Sequence, residues 1–307
     1  MRRDFVKQLV KEMELDKRIV FLTGDLGFNA LEPLQKRFAG RFINVGIAEQ
    51  HLMGMAAGLA LEGKKVIAYS IASFATMRPY EQIRDDICYH NLDVKIVGTG
   101  GGYNYATHGV THHTIEDIAI MRVLPHMRVL APAYAWEAAE ATKAMLKHHG
   151  PFYMRLGRSP NTDYKKRGFS YRIGRGFIVK NGRDLLLLST GNMLDVTLKT
   201  AEVIEGATGA SVCVISNPSI KPFDAALLLA RAAKAKGVFT IEEHSTVGGL
   251  GSVVSSVLFE KGFRGTFGSF GLPPDKFIKA VGEREHLLKL AGLEPSQIAK
   301  KIIKKIL

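Results

Sequence analysis

Two cysteines, Cys88 and Cys213, are all that 307 residues offer for disulfide pairing, and they stand far apart. So sparse a supply excludes a disulfide-stapled secreted scaffold and fits a reducing compartment, which makes the cytoplasm the expected location. Long apolar runs are absent too: stretches such as Leu185-Leu186-Leu187-Leu188 fall far short of the ~20 residues of a membrane-crossing helix. The opening Met1-Arg2-Arg3-Asp4-Phe5-Val6-Lys7 is charged and has no apolar core of a secretion signal. Internal repeats and low-complexity tracts are missing. Acidic residues are in deficit, leaving a formal net charge of +13. The excess is +4 over residues 1–165 (21 Lys and Arg against 17 Asp and Glu) and +9 over 166–307 (21 against 12). These cations are scattered and not interleaved with aromatics, so neither nucleic acid nor a membrane is an expected partner. A phosphorylated substrate or an acidic partner suits them equally well, and a merely solvated surface is favoured as the single cause.

With 46% hydrophobic and 23% charged residues, the composition is globular and the length suffices for two domains. Short apolar segments that read as buried strands alternate with segments of helical period. The first half predicts strands at Ile19–Thr23, 42–45, 65–70, 94–98, 128–131 and Phe152–Leu156, and helices at 4–15, 48–61, 79–89, 115–121 and 135–147. The second half predicts strands at 176–180, 184–189, 211–216 and 237–242, with helices at 193–205, 224–235 and after Gly248-Gly249-Leu250-Gly251. A basic amphipathic helix over 295–307 ends the chain, and packing on its own domain is favoured over membrane contact. The alternation argues an α/β chain of two doubly wound domains, 1–165 and 166–307, joined through the polar, turn-rich residues 157–175. Ligands of such sheets gather at the carboxyl ends of strands, where Asp25, Glu49, Phe74 and the 98–113 loop would fall.

One stretch organises the rest: a short buried strand from Phe42, a turn at Gly46, then a helix crowded with Gly54, Ala56, Ala57, Gly58 and Ala60. Two glycines cost a helix roughly 2 kcal/mol against alanine, so they point to close packing against a neighbour. Glu49 sits in the first helical turn, where the dipole favours an anion; a surface carboxylate would fit there as well as a functional one. His108, His112 and His113 cluster without the acidic or cysteine companions of a zinc site. Gly98-Thr99-Gly100-Gly101-Gly102 follows a strand but lacks the helix and spacing of a dinucleotide loop.

The segment Gly46-Ile47-Ala48-Glu49-Gln50 resembles the Gly-x-x-Glu-Gln of thiamine-diphosphate enzymes, and more narrowly the pyrimidine-binding domain of transketolase and 1-deoxyxylulose-5-phosphate synthase. The resemblance continues through Ser73-Phe74-Ala75-Thr76-Met77-Arg78-Pro79-Tyr80, Gly109-Val110-Thr111-His112-His113 and, in the second domain, Ile241-Glu242-Glu243-His244-Ser245-Thr246-Val247-Gly248-Gly249. It implies thiamine diphosphate as cofactor. The glutamate that Glu49 matches shares a proton with N1′ of the aminopyrimidine, which demands a carboxylate in a dry pocket. Phe74 matches the aromatic that stacks on that ring. Tyr80 matches a second aromatic of the pocket, and Met77 stands where transketolases often carry phenylalanine. His112 matches a histidine beside the reacting oxygens of the sugar, suited to proton transfer near neutrality. Asp25, Arg155 and Arg158 are candidate substrate ligands, the arginines for a phosphate. His108 departs from the usual aspartate that contacts a sugar hydroxyl, and Gly100 from a phosphate-contacting histidine.

The family's diphosphate-binding domain has no counterpart here: Gly24-Asp25-Leu26 is not its Gly-Asp-Gly, and no Asn-Asn pair occurs. The resemblance therefore implies the C-terminal subunit of a split transketolase, paired with an N-terminal subunit that supplies the Mg2+ ligands, in a two-plus-two assembly. It would move a two-carbon ketol unit between sugar phosphates. Three alternatives stand beside it: the beta subunit of a 2-oxoacid dehydrogenase or decarboxylase, a deoxyxylulose-phosphate-synthase-like subunit, and a non-catalytic assembly subunit.

Overall fold

The computed structural model describes residues 1–27, 30–158 and 170–306. Most of the expected linker, residues 159–169, lies outside them. Strands β1 (Ile19–Thr23), β2 (Phe42–Asn44), β3 (Lys65–Ile71), β4 (Val94–Thr99), β5 (Arg128–Leu130) and β6 (Phe152–Leu156) come from the first half. The second half supplies β7 (Phe177–Lys180), β8 (Leu185–Ser189), β9 (Val212–Ser216), β10 (Ser219–Lys221), β11 (Gly237–Ser245) and β12 (Thr266–Leu272).

The first sheet has the order β10-β5-β6-β4-β3-β1-β2 and the second β12-β11-β8-β9-β7. Pairing is parallel except where β10 meets β5 and β7 meets β9. Parallel neighbours need crossovers, and the helices that provide them cover both faces. The interiors of β1, β4, β6, β8, β9 and β11 are buried throughout, which explains the apolar runs of β1, β8 and β9.

Four expectations need correction. The strand from Phe42 is an edge strand, only partly buried, because among the described residues no strand pairs beyond it. Residues 79–89 do not form one α-helix: a turn at Tyr80–Gln82 widens into a π-helix over Ile83–Cys88, and the Tyr89 N–H reaches the Arg84 carbonyl. The wider turn lets Ile83, Ile87 and Cys88 all enter the core. β10 leaves the second half to finish the first sheet. β12, with its sequence Thr266-Phe267-Gly268-Ser269-Phe270-Gly271-Leu272, was not foreseen; its glycines admit close neighbours, since a Cβ on Gly271 would lie 2.6 Å from the His244 carbonyl oxygen.

The halves share one hydrophobic cluster that runs from Leu22 and Leu52 through Met121 to Leu186, Cys213 and Leu250. Polar bonds fix the junction around the helix Asp117–Val123. The Ala119 N–H donates to His244 Nε2 (3.3 Å), and Arg122 donates to the Gly248 carbonyl (2.6 Å). Lys221 donates to the carbonyls of Arg122 and Leu124 at the end of that helix, where a cation is favoured. The last helix, Pro295–Ile306, buries Ile298, Ala299 and Ile302 on its own domain. Among the described residues no helix is long and apolar enough to cross a membrane.

Glu242 is fully buried and accepts the N–H groups of Leu250 (2.7 Å) and Gly251 (2.8 Å), the first residues of the helix Leu250–Glu260. Removing it orphans both donors. Glu242→Ala is expected to lower unfolding stability by about 3 kcal/mol, read as a reduced urea midpoint with unchanged slope.

Candidate active site

Glu49 opens the helix Glu49–Leu61 beneath the carboxyl ends of β1 and β3, with 4% of its surface exposed. Ser70, in β3, donates to Oε1 at 3.3 Å, and Arg78 Nη1 donates to Oε2 at 2.9 Å. Arg78 reaches it from just beyond the short helix Ala72–Met77, four residues after Phe74. That spacing puts cation and ring on one helical face: Arg78 Cζ lies 3.9 Å from the Phe74 ring centroid. Met77, on the same helix, is 40% exposed.

His112 meets the Phe74 ring edge-on, centroids 5.0 Å apart. Its loop turns at Gly109, where φ is +75°, and the His112 and His113 N–H groups both return to the Gly109 carbonyl. Ser73 donates to the Thr111 carbonyl and so ties this turn to the Phe74 helix. His108 lies 4.9 Å from His112, ring to ring, and Tyr105 touches both. Burial first, then the charges of His108, Arg78 and His113, holds the His112 imidazole below its ordinary pKa. The neutral ring is the form that can take up a proton. His113 points away, its Nε2 3.1 Å from the Ala106 carbonyl in a buried position.

Among the candidate residues the structure thus brings together Glu49, Phe74, His112 and His108, with Met77 at the rim. Arg155 does not join them. Its guanidinium is buried, paired with Asp117 at 3.2 Å, and donates to the carbonyls of Thr114 (2.6 Å) and Glu243 (3.0 Å). It was expected to hold a substrate phosphate; here it faces the interior, with Nη2 on the two carbonyls and Nε toward Asp117. The Tyr80 hydroxyl donates to the Ile120 carbonyl (2.8 Å), and its partly buried ring packs on the core. Arg158 is exposed at the end of β6, its N–H held by Asn104 Oδ1. Asp25 is exposed with φ +53° and is clasped by Asn44 through its N–H and its carboxylate.

The sequence reading gave no role to Arg78, Tyr105 or Glu243. The four-residue spacing from Phe74 was the available signal for Arg78. Glu243 accepts from the Tyr103 N–H, Asn192 and, in a fork, Arg284, gripping the glycine-rich loop from the second sheet. That loop's glycines answer to packing: a Cβ on Gly101 would lie 1.9 Å from Arg155 Nε, and one on Gly100 2.0 Å from the Tyr105 ring.

Models of two families match the chain: transketolase, pyrimidine binding domain, over residues 1–162, and transketolase, C-terminal domain, over residues 174–298. A Methanocaldococcus jannaschii chain named as a transketolase C-terminal section is 34% identical over all of this chain and 96% of its own length. The 6-deoxy-6-sulfo-D-fructose transketolase subunit SqwH of a Clostridium species is 34% identical over 89% of this chain and 87% of its own.

The chain belongs to the transketolase family.

A split-gene transketolase, solved as an inactive beta4 tetramer, superposes with a TM-score of 0.89 at 38% identity, covering 99% of this chain and 97% of that one. Pichia stipitis transketolase shares the fold, with a TM-score of 0.79 at 20% identity, and this chain spans 45% of it.

Membership of the transketolase family implies thiamine diphosphate, and the residues fit its aminopyrimidine end. Glu49 is a buried carboxylate whose Oε1 has a single long bond, and the Phe74 ring lies within reach of the same arginine. Among the described residues no three His, Cys, Asp or Glu side chains converge on a metal position.

Two outcomes are expected. Replacing His108 with alanine removes a charge that depresses His112, so the His112 imidazole should titrate at higher pH in an NMR titration. Arg155→Met leaves Asp117 buried and unpaired and should cost about 3–5 kcal/mol in stability, measured by denaturant unfolding of this chain.

Proposed function

We propose that this chain is the C-terminal subunit of a split transketolase that transfers a two-carbon ketol unit between sugar phosphates. The observation that carries the reading is the buried Glu49 carboxylate, joined through Arg78 and Phe74 to His112 at one mouth of the first sheet. The near-complete mutual coverage with the split-gene structure supports it. Thiamine diphosphate, when bound, would supply the nucleophilic thiazolium carbon. Glu49 shares a proton with the aminopyrimidine, its burial keeping water from competing for that proton. Phe74 gives the ring a flat face, and Met77 borders it. His112, held neutral, moves a proton to and from the substrate oxygens, with His108 beside it. Arg158 and Asp25, exposed at the ends of β6 and β1, reach toward the substrate, the arginine toward its phosphate.

The partner is an N-terminal subunit that brings the diphosphate-binding domain and the Mg2+ ligands. Beyond its own helix, a Cβ on Gly54 or Gly58 would meet nothing within 4 Å among the described residues, so the close neighbour that their helix calls for is assigned to another chain. That face is the proposed contact in a two-plus-two assembly, and the related beta4 tetramer, described as inactive, supports dependence on another subunit. A deoxyxylulose-phosphate-synthase-like reaction is the second reading. The synthase of Pelotomaculum thermopropionicum is 32% identical over 98% of this chain, which spans 47% of that enzyme.

The test mixes this chain with a candidate N-terminal subunit and follows ketol transfer between sugar phosphates. Activity in the mixture alone is expected, and Glu49→Ala should reduce it at least about 100-fold. Pyruvate-dependent condensation without ketol transfer would favour the synthase reading.

A further inference from the structure

We propose that Arg78 is a cofactor-site residue whose present pose and the bound aminopyrimidine exclude one another. The inference rests on the reading that Glu49 and Phe74 receive that ring. A guanidinium is flat, carries N–H donors and stacks on aromatic faces; an aminopyrimidine is flat, carries N–H donors and stacks in the same way. Arg78 uses both properties on the two groups assigned to the cofactor, bonding Glu49 Oε2 at 2.9 Å and covering Phe74 at 3.9 Å.

Little room is left for both. Glu49 Oε1 keeps only the 3.3 Å bond from Ser70, whereas the Arg78 guanidinium holds Oε2 and covers Phe74 at once, so a ring that lies on Phe74 and bonds the carboxylate needs the arginine's place. His112 already meets the Phe74 ring from another direction. The Arg78 side chain is 48% exposed while that of Glu49 is 3% exposed. Departure into solvent is therefore easy for the arginine, whereas the carboxylate cannot be left alone without a large penalty. Arg78 acts as a place-holder, keeping the buried carboxylate paired until the ring replaces it. The apparent affinity for cofactor is then lowered by the fraction of time the site stands clear.

The experiment is calorimetric titration of thiamine diphosphate, with excess Mg2+, into this chain assembled with its N-terminal subunit. Wild type is compared with Arg78→Ala, Arg78→Lys and Glu49→Ala. Arg78→Ala should bind tighter by the reciprocal of the fraction of time the site stands clear, about tenfold for a fraction of about one tenth, and Arg78→Lys, charged but not planar, should fall between. Equal or weaker binding by Arg78→Ala overturns the inference. A crystal structure of the loaded wild-type assembly gives an independent reading: a guanidinium clear of Glu49 and Phe74 supports exclusion, and one still on both refutes it. If the wild-type assembly does not bind cofactor, or Glu49→Ala binds as well as wild type, the transketolase reading itself fails and this inference falls with it.

Discussion

The buried guanidinium of Arg155 is the constraint on which the arrangement of this molecule turns. It extends from β6 to Asp117, to the Thr114 carbonyl and to the Glu243 carbonyl. These partners belong to a helix of the first half, the loop before it and strand β11 of the second sheet. Taking a charge out of water is costly, and only a complete set of partners makes it tolerable. None of these segments can slide without orphaning the others, so one ion pair fixes the two sheets and the histidine loop in a single register.

The glycine-rich loop is shaped by the same demand. Gly101 makes room for Arg155 and Gly102 for the Glu243 side chain, and both would collide with a Cβ. Gly102 and Thr114 then bond to each other in both directions, delivering the chain to Gly109 and the turn that carries His112. Without this bracing a loop bearing three histidines would have no reason to keep one of them against Phe74. The second sheet serves the site by holding that loop, with Glu243 bonded to Tyr103, Asn192 and Arg284.

Legibility in the sequence followed the range of the interactions. Helices and central strands were readable because their apolar periods are local, and β1 and β6 were predicted to the residue. The π-helix at Ile83–Cys88 was not, since a widened turn has the same composition as an α-helix and differs only in what it buries. β10 was hidden because three residues carry no period, and its place in the first sheet is a long-range fact. Glu49, Phe74 and His112 were legible through a family resemblance, and their convergence is a matter of topology. Arg155 and Arg158 show the limit most plainly. Three residues apart on one strand end, they look alike in sequence, yet one is walled in by carbonyls and the other stands in solvent.

The same contrast between buried and exposed bears on the proposed pairing with another chain. Proton sharing by a carboxylate works best where water is excluded. Here Glu49 is buried, yet the rim beside it is not: Ile47 is 77% exposed, Met77 40%, and the Arg78 side chain 48%. A soluble surface gains nothing from presenting isoleucine and methionine around a functional carboxylate unless something covers them. The helix that Glu49 begins also turns its glycines toward open space, a sequence choice that costs helix stability and is repaid only by a close neighbour. Ile47 leads into that helix and Gly54 and Gly58 lie along it, so the surface that would seal the site adjoins the proposed partner surface.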